Sequence, residues 1–219
     1  MVFVSVVCPT YNRRQWLPFM LFQYIHFDWP IEAKELIVLD DSDESNSDLF
    51  IGFEEYNIRY IHLLKKISIG QKRTQINELA KGDIIMCMDD DDIHHPQRIR
   101  HSVEQLLLNK VELVAATTLF VFYKSTGKIR LFGPYHETHG THGTMAYTKK
   151  YAMTHKYDLT VSHAEERVFT ENFSENLIQL NPLLTILCIA HESNTYDKSQ
   201  TAVLQSSRET ELTLRQFWP

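Results

Sequence analysis

The sequence predicts an α/β protein built on a mostly parallel sheet, and three observations carry that reading. Short apolar runs alternate with segments of helical periodicity through the first half of the 219-residue chain. Several of these runs are apolar almost without interruption, as strands covered on both faces are. Two clusters of carboxylates fall where such strands end, and ligands of parallel α/β sheets bind at strand carboxyl ends.

In chain order, VFVSVVC (2–8), ELIVLD (35–40), IRYIHL (58–63) and DIIMCM (83–88) read as strands. Helices are expected over about 15–26, with Pro18 in a first turn, and over about 71–81, with Gly82 closing the helix. Pro96 opens a third helix reaching about residue 108, with Ile99, Val103, Leu106 and Leu107 as its apolar face. The second half is less regular. LVAATTLFVFY (113–123) and KIRLF (128–132) read as a hairpin around 125–127, and the Gly- and His-rich loop GPYHETHGTHG (133–143) follows. A strand TMAYT (144–148), a helix near 165–176 and a strand LLTILCIA (183–190) come next. The polar tail from 197 to 219 is expected to form a helix or a linker towards a further domain.

Composition narrows the function. The hydrophobic fraction of 43% and aromatic fraction of 11% fit a globular chain. No apolar run approaches the ~18 residues of a membrane span, and no signal-like leader opens the sequence. Cys8, Cys87 and Cys188 lie in apolar runs, so reduced core thiols and a cytoplasmic location are expected. A net charge of −6 argues against a nucleic-acid partner, which needs a basic face. An anionic ligand would therefore call for a recruited cation.

MCMDDDDIHHP (86–96) supplies a place for one. At an effective dielectric near 20, two like charges roughly 4 Å apart repel by about 4 kcal/mol. Crowding Asp89, Asp90, Asp91 and Asp92 at the mouth of a buried strand makes sense if they hold a hard divalent cation, which itself binds phosphate oxygens. A DxD spacing lets one carboxylate meet the metal while another takes a sugar hydroxyl. A solvated acidic loop is the bland alternative, and the buried approach IIMCM weighs against it. Asp41, Asp43, Ser45 and Asn46 mimic a calcium loop but lack its glycine and terminal glutamate. Asp40 is expected to shape a turn. The spacing of His136, His139 and His142 admits zinc, yet the intervening glycines favour a loop that closes over ligands. Trp16 and Trp29 read as packing residues.

VSVVCPTYNRR (4–14), ELIVLDDSDESNSD (35–48) and GQKRTQINELAKGDIIMCMDDDDIHHPQRI (70–99) resemble, in order and spacing, the three signature segments of GT-A glycosyltransferases of family 2. The resemblance implies a Rossmann-like, mostly parallel central sheet flanked by helices, with a smaller mixed sheet on the acceptor side. Residues 1–108 would be the nucleotide-sugar-binding half, 109–198 the acceptor half, and 199–219 the tail. It implies that Pro9, Thr10, Tyr11 and Arg13 border the nucleotide, with the Tyr11 ring able to stack on its base. Asp41 would accept from uracil N3–H, a donor that cytosine lacks. Lys72 and Arg73 would face base or diphosphate; Lys72 and Thr74 depart from the usual neighbours of that arginine. Asp91 would ligate the metal, Mn²⁺ or Mg²⁺, with Asp90 or Asp89 on the ribose and Asp92 behind it or as the alternative ligand. Four consecutive aspartates leave the register open by one.

In the second half, SHAEERVFTENF (162–173) resembles the family's acceptor-site motif, so Glu165 or Glu166 would be the base of an inverting transfer, with Glu166 preferred. CIAHESNTYD (188–197) resembles the late histidine segment, placing His191 near metal or diphosphate. The implied activity moves a sugar from a UDP-sugar donor to a glycan or other hydroxyl acceptor. A sugar-phosphate nucleotidyltransferase is the nearest rival, but CPTYNRR has no glycine for a triphosphate cradle. A silent glycan- or nucleotide-binding module is the other alternative.

Overall fold

The computed structural model describes residues 1–160, 166–192, 194 and 204–219. Chain order in the first half is β1 (Val4–Thr10), α1 (Leu17–Ile25), β2 (Lys34–Asp40), β3 (Ile58–His62), α2 (Ile69–Leu79), β4 (Ile84–Cys87), β5 (Ile93–His94) and α3 (Arg98–Asn109). The second half adds β6 (Leu113–Ala115), β7 (Leu119–Tyr123), β8 (Lys128–Phe132), β9 (Ala146–Thr148), α4 (Lys149–Thr154), α5 (Glu166–Phe169), β10 (Ile178–Gln179), β11 (Ile186–Ala190) and β12 (Ser207–Glu209). Among the described residues the larger sheet has the order β10-β6-β9-β4-β1-β2-β3 and the smaller one β12-β8-β7-β11-β5. The predicted α/β class with a mostly parallel main sheet and a smaller mixed sheet is what the chain forms.

β1 pairs in parallel with β2 on one side and β4 on the other. Chain order reverses there, opening a crevice at the strand carboxyl ends. Alternation along β1 explains why both faces are covered. Val4, Val6 and Cys8 pack with Leu17, Met20 and Tyr24 of α1 and with Ile99 and Val103 of α3. Val7 faces the opposite way, into a cluster with Ile76 of α2 and with Tyr147, Tyr151 and Phe169.

Several elements differ from the sequence reading, each for a local reason. The expected strand over 113–123 is two strands in different sheets: Leu113–Ala115 joins the large sheet and Leu119–Tyr123 the small one. Among the described residues the expected helix near 165–176 covers only Glu166–Phe169, and Glu171, Asn172 and Phe173 then have φ of 48°, 60° and 58°. Three left-handed L-residues cannot continue a right-handed helix. Over residues 204–219 the tail packs on the smaller sheet. Ser207–Glu209 adds an antiparallel edge strand to β8, Leu214–Gln216 forms a 3-10 turn, and Phe217 is buried against Phe120.

Gly82 does not close α2. The helix ends at Leu79, with Ala80 already extended. Gly82 instead lets the chain press on β1: a Cβ there would meet Ser5 N, Ile84 O at 2.7 Å and Phe3 O at 2.9 Å. The Gly82 amide donates to Ser5 Oγ (2.8 Å), which donates to the buried Glu35 carboxylate (2.6 Å). Gly82→Ala is expected to lower the urea midpoint, with a loss of about 1–3 kcal/mol from forced backbone movement. An unchanged midpoint would show that this approach is not a constraint.

Candidate functional site

The four aspartates after β4 do not stand as one cluster; each is met by a different element. Asp89 lies 3.5 Å from Arg73 Nη2 on α2. Asp90 accepts from Thr10 Oγ1 at the end of β1. Asp91 is paired with Arg13 and lies 3.0 Å from His191 Nε2. Asp92 accepts from the Ile189 amide (3.0 Å) and the Cys188 thiol (3.1 Å) of β11. Asp89 is partly exposed, whereas Asp90, Asp91 and Asp92 are buried, at 6%, 9% and 3%. Asp89 and Asp91 are the two that meet basic side chains, Arg73 and Arg13. Asp92, expected behind Asp91 or as the alternative ligand, ties the segment after β4 to β11.

Beneath this corner sits a fully buried cation. Arg98, at the start of α3, donates to His94 Nδ1 and to Gly143 O (2.5 Å). His94 Nε2 donates to Asp89 O (2.9 Å), because a carbonyl can only accept. His94 is therefore the neutral Nε2–H tautomer, and burial beside Arg98 pushes its pKa down to about 3. Gly143 lets its loop approach Asp89 closely: a Cβ would lie 2.5 Å from Asp89 Oδ2, so that carboxylate would have to turn.

Across the crevice the ends of β1 and β2 form a second polar group. Asp40 builds the turn as expected, accepting from the Ser42 amide (2.8 Å), Asn46 Nδ2 (2.8 Å) and Tyr60 OH (2.7 Å). Asp41 forms an ion pair with Lys72 and accepts from the Ile67 amide (2.9 Å). Its side chain has no exposed surface. As paired with Lys72, Asp41 presents no accessible oxygen to the crevice. Lys72 also donates to Thr10 O (2.8 Å), and burial lowers its pKa against the raising effect of Asp41. The capping box of Ser68 and Gln71 starts α2, whose inward face presents Lys72 and Arg73. Tyr11 stays partly exposed, with Lys66 Nζ 3.7 Å from its ring centroid. Pro9 lies within β1, opposite Leu39, and lends the site backbone shape only.

On the side of the small sheet, Asp91 Oδ2, His191 Nε2 and Asn194 Nδ2 converge within 3.0–3.3 Å of one another. Adjacent ligands about 2.1 Å from an octahedral ion stand about 3.0 Å apart. A carboxylate and an imidazole at that spacing, supplied by different sheets, fit a divalent ion. Trp16 packs on the core of the smaller sheet as expected, with its ring 4.6 Å from that of His191 and Lys124 Nζ 4.4 Å from its centroid. Sequence reasoning missed Lys66, Asn194 and Arg98. Only the proximity of Asn194 to His191 in sequence offered a signal.

Of the histidines in the 133–143 loop, His136 and His139 lie together, with ring centroids 5.6 Å apart, and His142 does not join them. His142 is buried, with Nε2 2.8 Å from Tyr157 OH and 3.7 Å from Cys87 Sγ, so it belongs to the core. His139 contacts Thr117 Oγ1 (3.2 Å) and His136 contacts Thr138 Oγ1 (3.0 Å). Glu166 heads α5, and Glu165 lies outside the described residues. The three cysteines are free and buried, and no helix among the described residues is long and apolar enough to cross a membrane.

With the crevice and its charges in place, comparison with known proteins defines the class. The profile of glycosyl transferase family 2 matches residues 5–168, and the chain belongs to that family. Its fold is that of GT-A glycosyltransferases. Residues 1–349 of TarS from S. aureus, in complex with UDP-GlcNAc, superpose with a TM-score of 0.71 at 15% identity, over 88% of this chain and 60% of that one. The mannosyltransferase PcManGT from Pyrobaculum calidifontis, in complex with GDP-Man and Mn²⁺, gives 0.68 at 12% identity, over 87% and 58%. The chain thus spans about three fifths of the length of these solved chains.

Two predictions follow from the charges alone. Lys72→Met leaves the Asp41 carboxylate buried without its cation, and a loss of about 3–5 kcal/mol is expected in urea unfolding. A loss under 1 kcal/mol would mean water reaches Asp41. Burial, then Asp91, push the Asp90 pKa up to about 7 from 3.8. The folded chain then holds a proton that the unfolded chain releases, so stability falls as pH rises from about 4 to about 7. In EDTA, Asp90→Asn should stabilise the chain by about 1–3 kcal/mol at pH 8 and by much less at pH 4. Equal effects at both pH values would contradict this.

Proposed function

We propose that this chain is a metal-dependent inverting glycosyltransferase that moves a sugar from a nucleoside diphosphate sugar, foremost a UDP-sugar, to a hydroxyl of a glycan or similar acceptor. The observation that carries the reading is the convergence of Asp91 and His191 at the crevice, opposite Tyr11 and Lys66. Asp91 and His191, with Asp89 beside them, would hold Mn²⁺ or Mg²⁺. When bound, such an ion supplies positive charge against a departing diphosphate. Its presence with GDP-Man in the mannosyltransferase supports a divalent ion here. The choice of uridine is supported by the TarS complexes with UDP-GlcNAc and UDP.

The roles of the chain's own residues follow from where they sit. Tyr11 offers its ring to the base, and Lys66, over that ring, offers charge to an anionic ligand. Lys72 holds Asp41 and the end of β1 in place rather than reaching outward. Arg13, now on Asp91, is positioned to turn to the diphosphate when Asp91 takes another cation. In the transfer, the acceptor oxygen forms its bond to the anomeric carbon as the bond to the diphosphate breaks. The acceptor hydroxyl proton passes to Glu165 or Glu166, a role that demands hydrogen-bond reach.

Binding measurements test this without knowledge of the acceptor. UDP, GDP and CDP are titrated into the chain with and without Mn²⁺, and thermal shift or calorimetry gives Kd. UDP is expected to bind best and to gain at least tenfold from Mn²⁺. Asp91→Asn should abolish that gain, while the E165Q/E166Q double variant should keep UDP affinity within about twofold. Mn²⁺-enhanced UDP binding that survives Asp91→Asn would refute the metal assignment.

A further inference from the structure

Away from the crevice, three metal-ligating side chains meet where α4 ends. His155 Nε2 lies 2.8 Å from Glu175 Oε1 and 3.8 Å from Glu171 Oε1. The three donor atoms all lie within 4.8 Å of one another. Donors about 2.1 Å from a tetrahedral ion stand about 3.4 Å apart, inside the observed range.

The tautomer of His155 is fixed by its other nitrogen. Nδ1 lies 3.0 Å from Tyr151 O, which can only accept, so Nδ1 carries the proton. Thr154 Oγ1, 2.9 Å from the same nitrogen, can send its own proton to Tyr151 O at 3.1 Å and accept from Nδ1–H. Nε2 therefore faces two carboxylates as a lone pair or as N–H⁺. A ring N–H given to a backbone carbonyl is how metal-ligating histidines are held. The Tyr151 ring stacks on the imidazole at 3.8 Å, and its hydroxyl donates to Glu175. Ring orientation and one carboxylate are thus set in advance by a single neighbouring side chain.

We propose that His155, Glu171 and Glu175 form a second divalent-metal site, of the one-imidazole, two-carboxylate kind that suits Zn²⁺. Water would complete the coordination, since Glu171 is 66% exposed. The site stands independently of the activity proposed above. Its consequence for catalysis rests on that reading. The turn bearing Glu171 is bonded back onto α5: Thr170 N donates to Glu166 O (2.9 Å), Glu171 N to Val168 O (3.1 Å) and Asn172 N to Arg167 O (2.7 Å). An ion here would pin the one-turn helix that carries Glu166 to the end of α4.

The test is calorimetric titration of ZnCl₂ into the Asp91→Asn chain, in which the crevice site is removed. One zinc per chain is expected, bound at least tenfold more weakly in D91N/E171Q and in D91N/H155Q. Glu171 is exposed and lies at a turn, so its glutamine variant is expected to fold; the urea midpoint checks this. Zinc-edge absorption of the Asp91→Asn complex should show a mixed nitrogen and oxygen shell. Equal zinc affinity in all three proteins, or no zinc bound by Asp91→Asn, would overturn the proposal. Because no donor or acceptor is present, this result stands or falls apart from the glycosyltransferase reading.

Discussion

Four adjacent carboxylates at the end of a buried strand can coexist only because the fold separates their counter-groups. Arg73 comes from α2, Thr10 from β1, Arg13 from the loop after β1, His191 from the segment after β11, and the Ile189 amide from β11 itself. Each contact joins β4 to a different part of the chain. The acidic corner is thus the point at which both sheets and two flanking segments are registered. An arrangement that spreads like charges in this way gives Asp89 and Asp91 basic partners, Arg73 and Arg13. Asp90 is left as an unstable anion whose ionisation a nearby cation would favour.

The same logic accounts for the buried cations around the crevice. Arg98 is wholly buried, yet it meets a neutral imidazole and a carbonyl rather than a carboxylate. It supports the backbone of Asp89 through His94 and reaches the Gly143 carbonyl on the facing loop. Lys72 ties the end of β1 to Asp41. These groups hold the crevice walls, while Tyr11 and Lys66 stay more accessible. The walls are tied by Asp41 with Lys72 on one side and by Asp91 with Arg13 and His191 on the other.

Most of the first half was legible in the sequence because parallel strands buried on both faces announce themselves as apolar runs. The acidic clusters then marked the strand ends without ambiguity. The second half resisted for physical reasons. LVAATTLFVFY is apolar but for Thr117 and Thr118, and threonine is itself a favoured strand residue, so the pair does not signal that Ala116–Thr118 carry the chain from one sheet to the other. The stop after Phe169 depends on left-handed residues that are not glycine, which composition does not reveal. The inward roles of Asp92 and His142 depend on partners about 97 and 55 residues distant. The one-residue register of Asp89 to Asp92 is likewise unreadable in the sequence, because four identical side chains carry no signal of which distant partner each will meet.

The central claim is that a divalent ion joins Asp91 to His191 and thereby to a nucleoside diphosphate. Crystals soaked in Mn²⁺ and UDP, with data collected on both sides of the manganese edge, test it most directly. The account predicts an anomalous peak about 2.0–2.3 Å from a carboxylate oxygen of Asp91 and from His191 Nε2, with the diphosphate in contact with it. Well-ordered nucleotide bound elsewhere, with no manganese peak at Asp91, would contradict it.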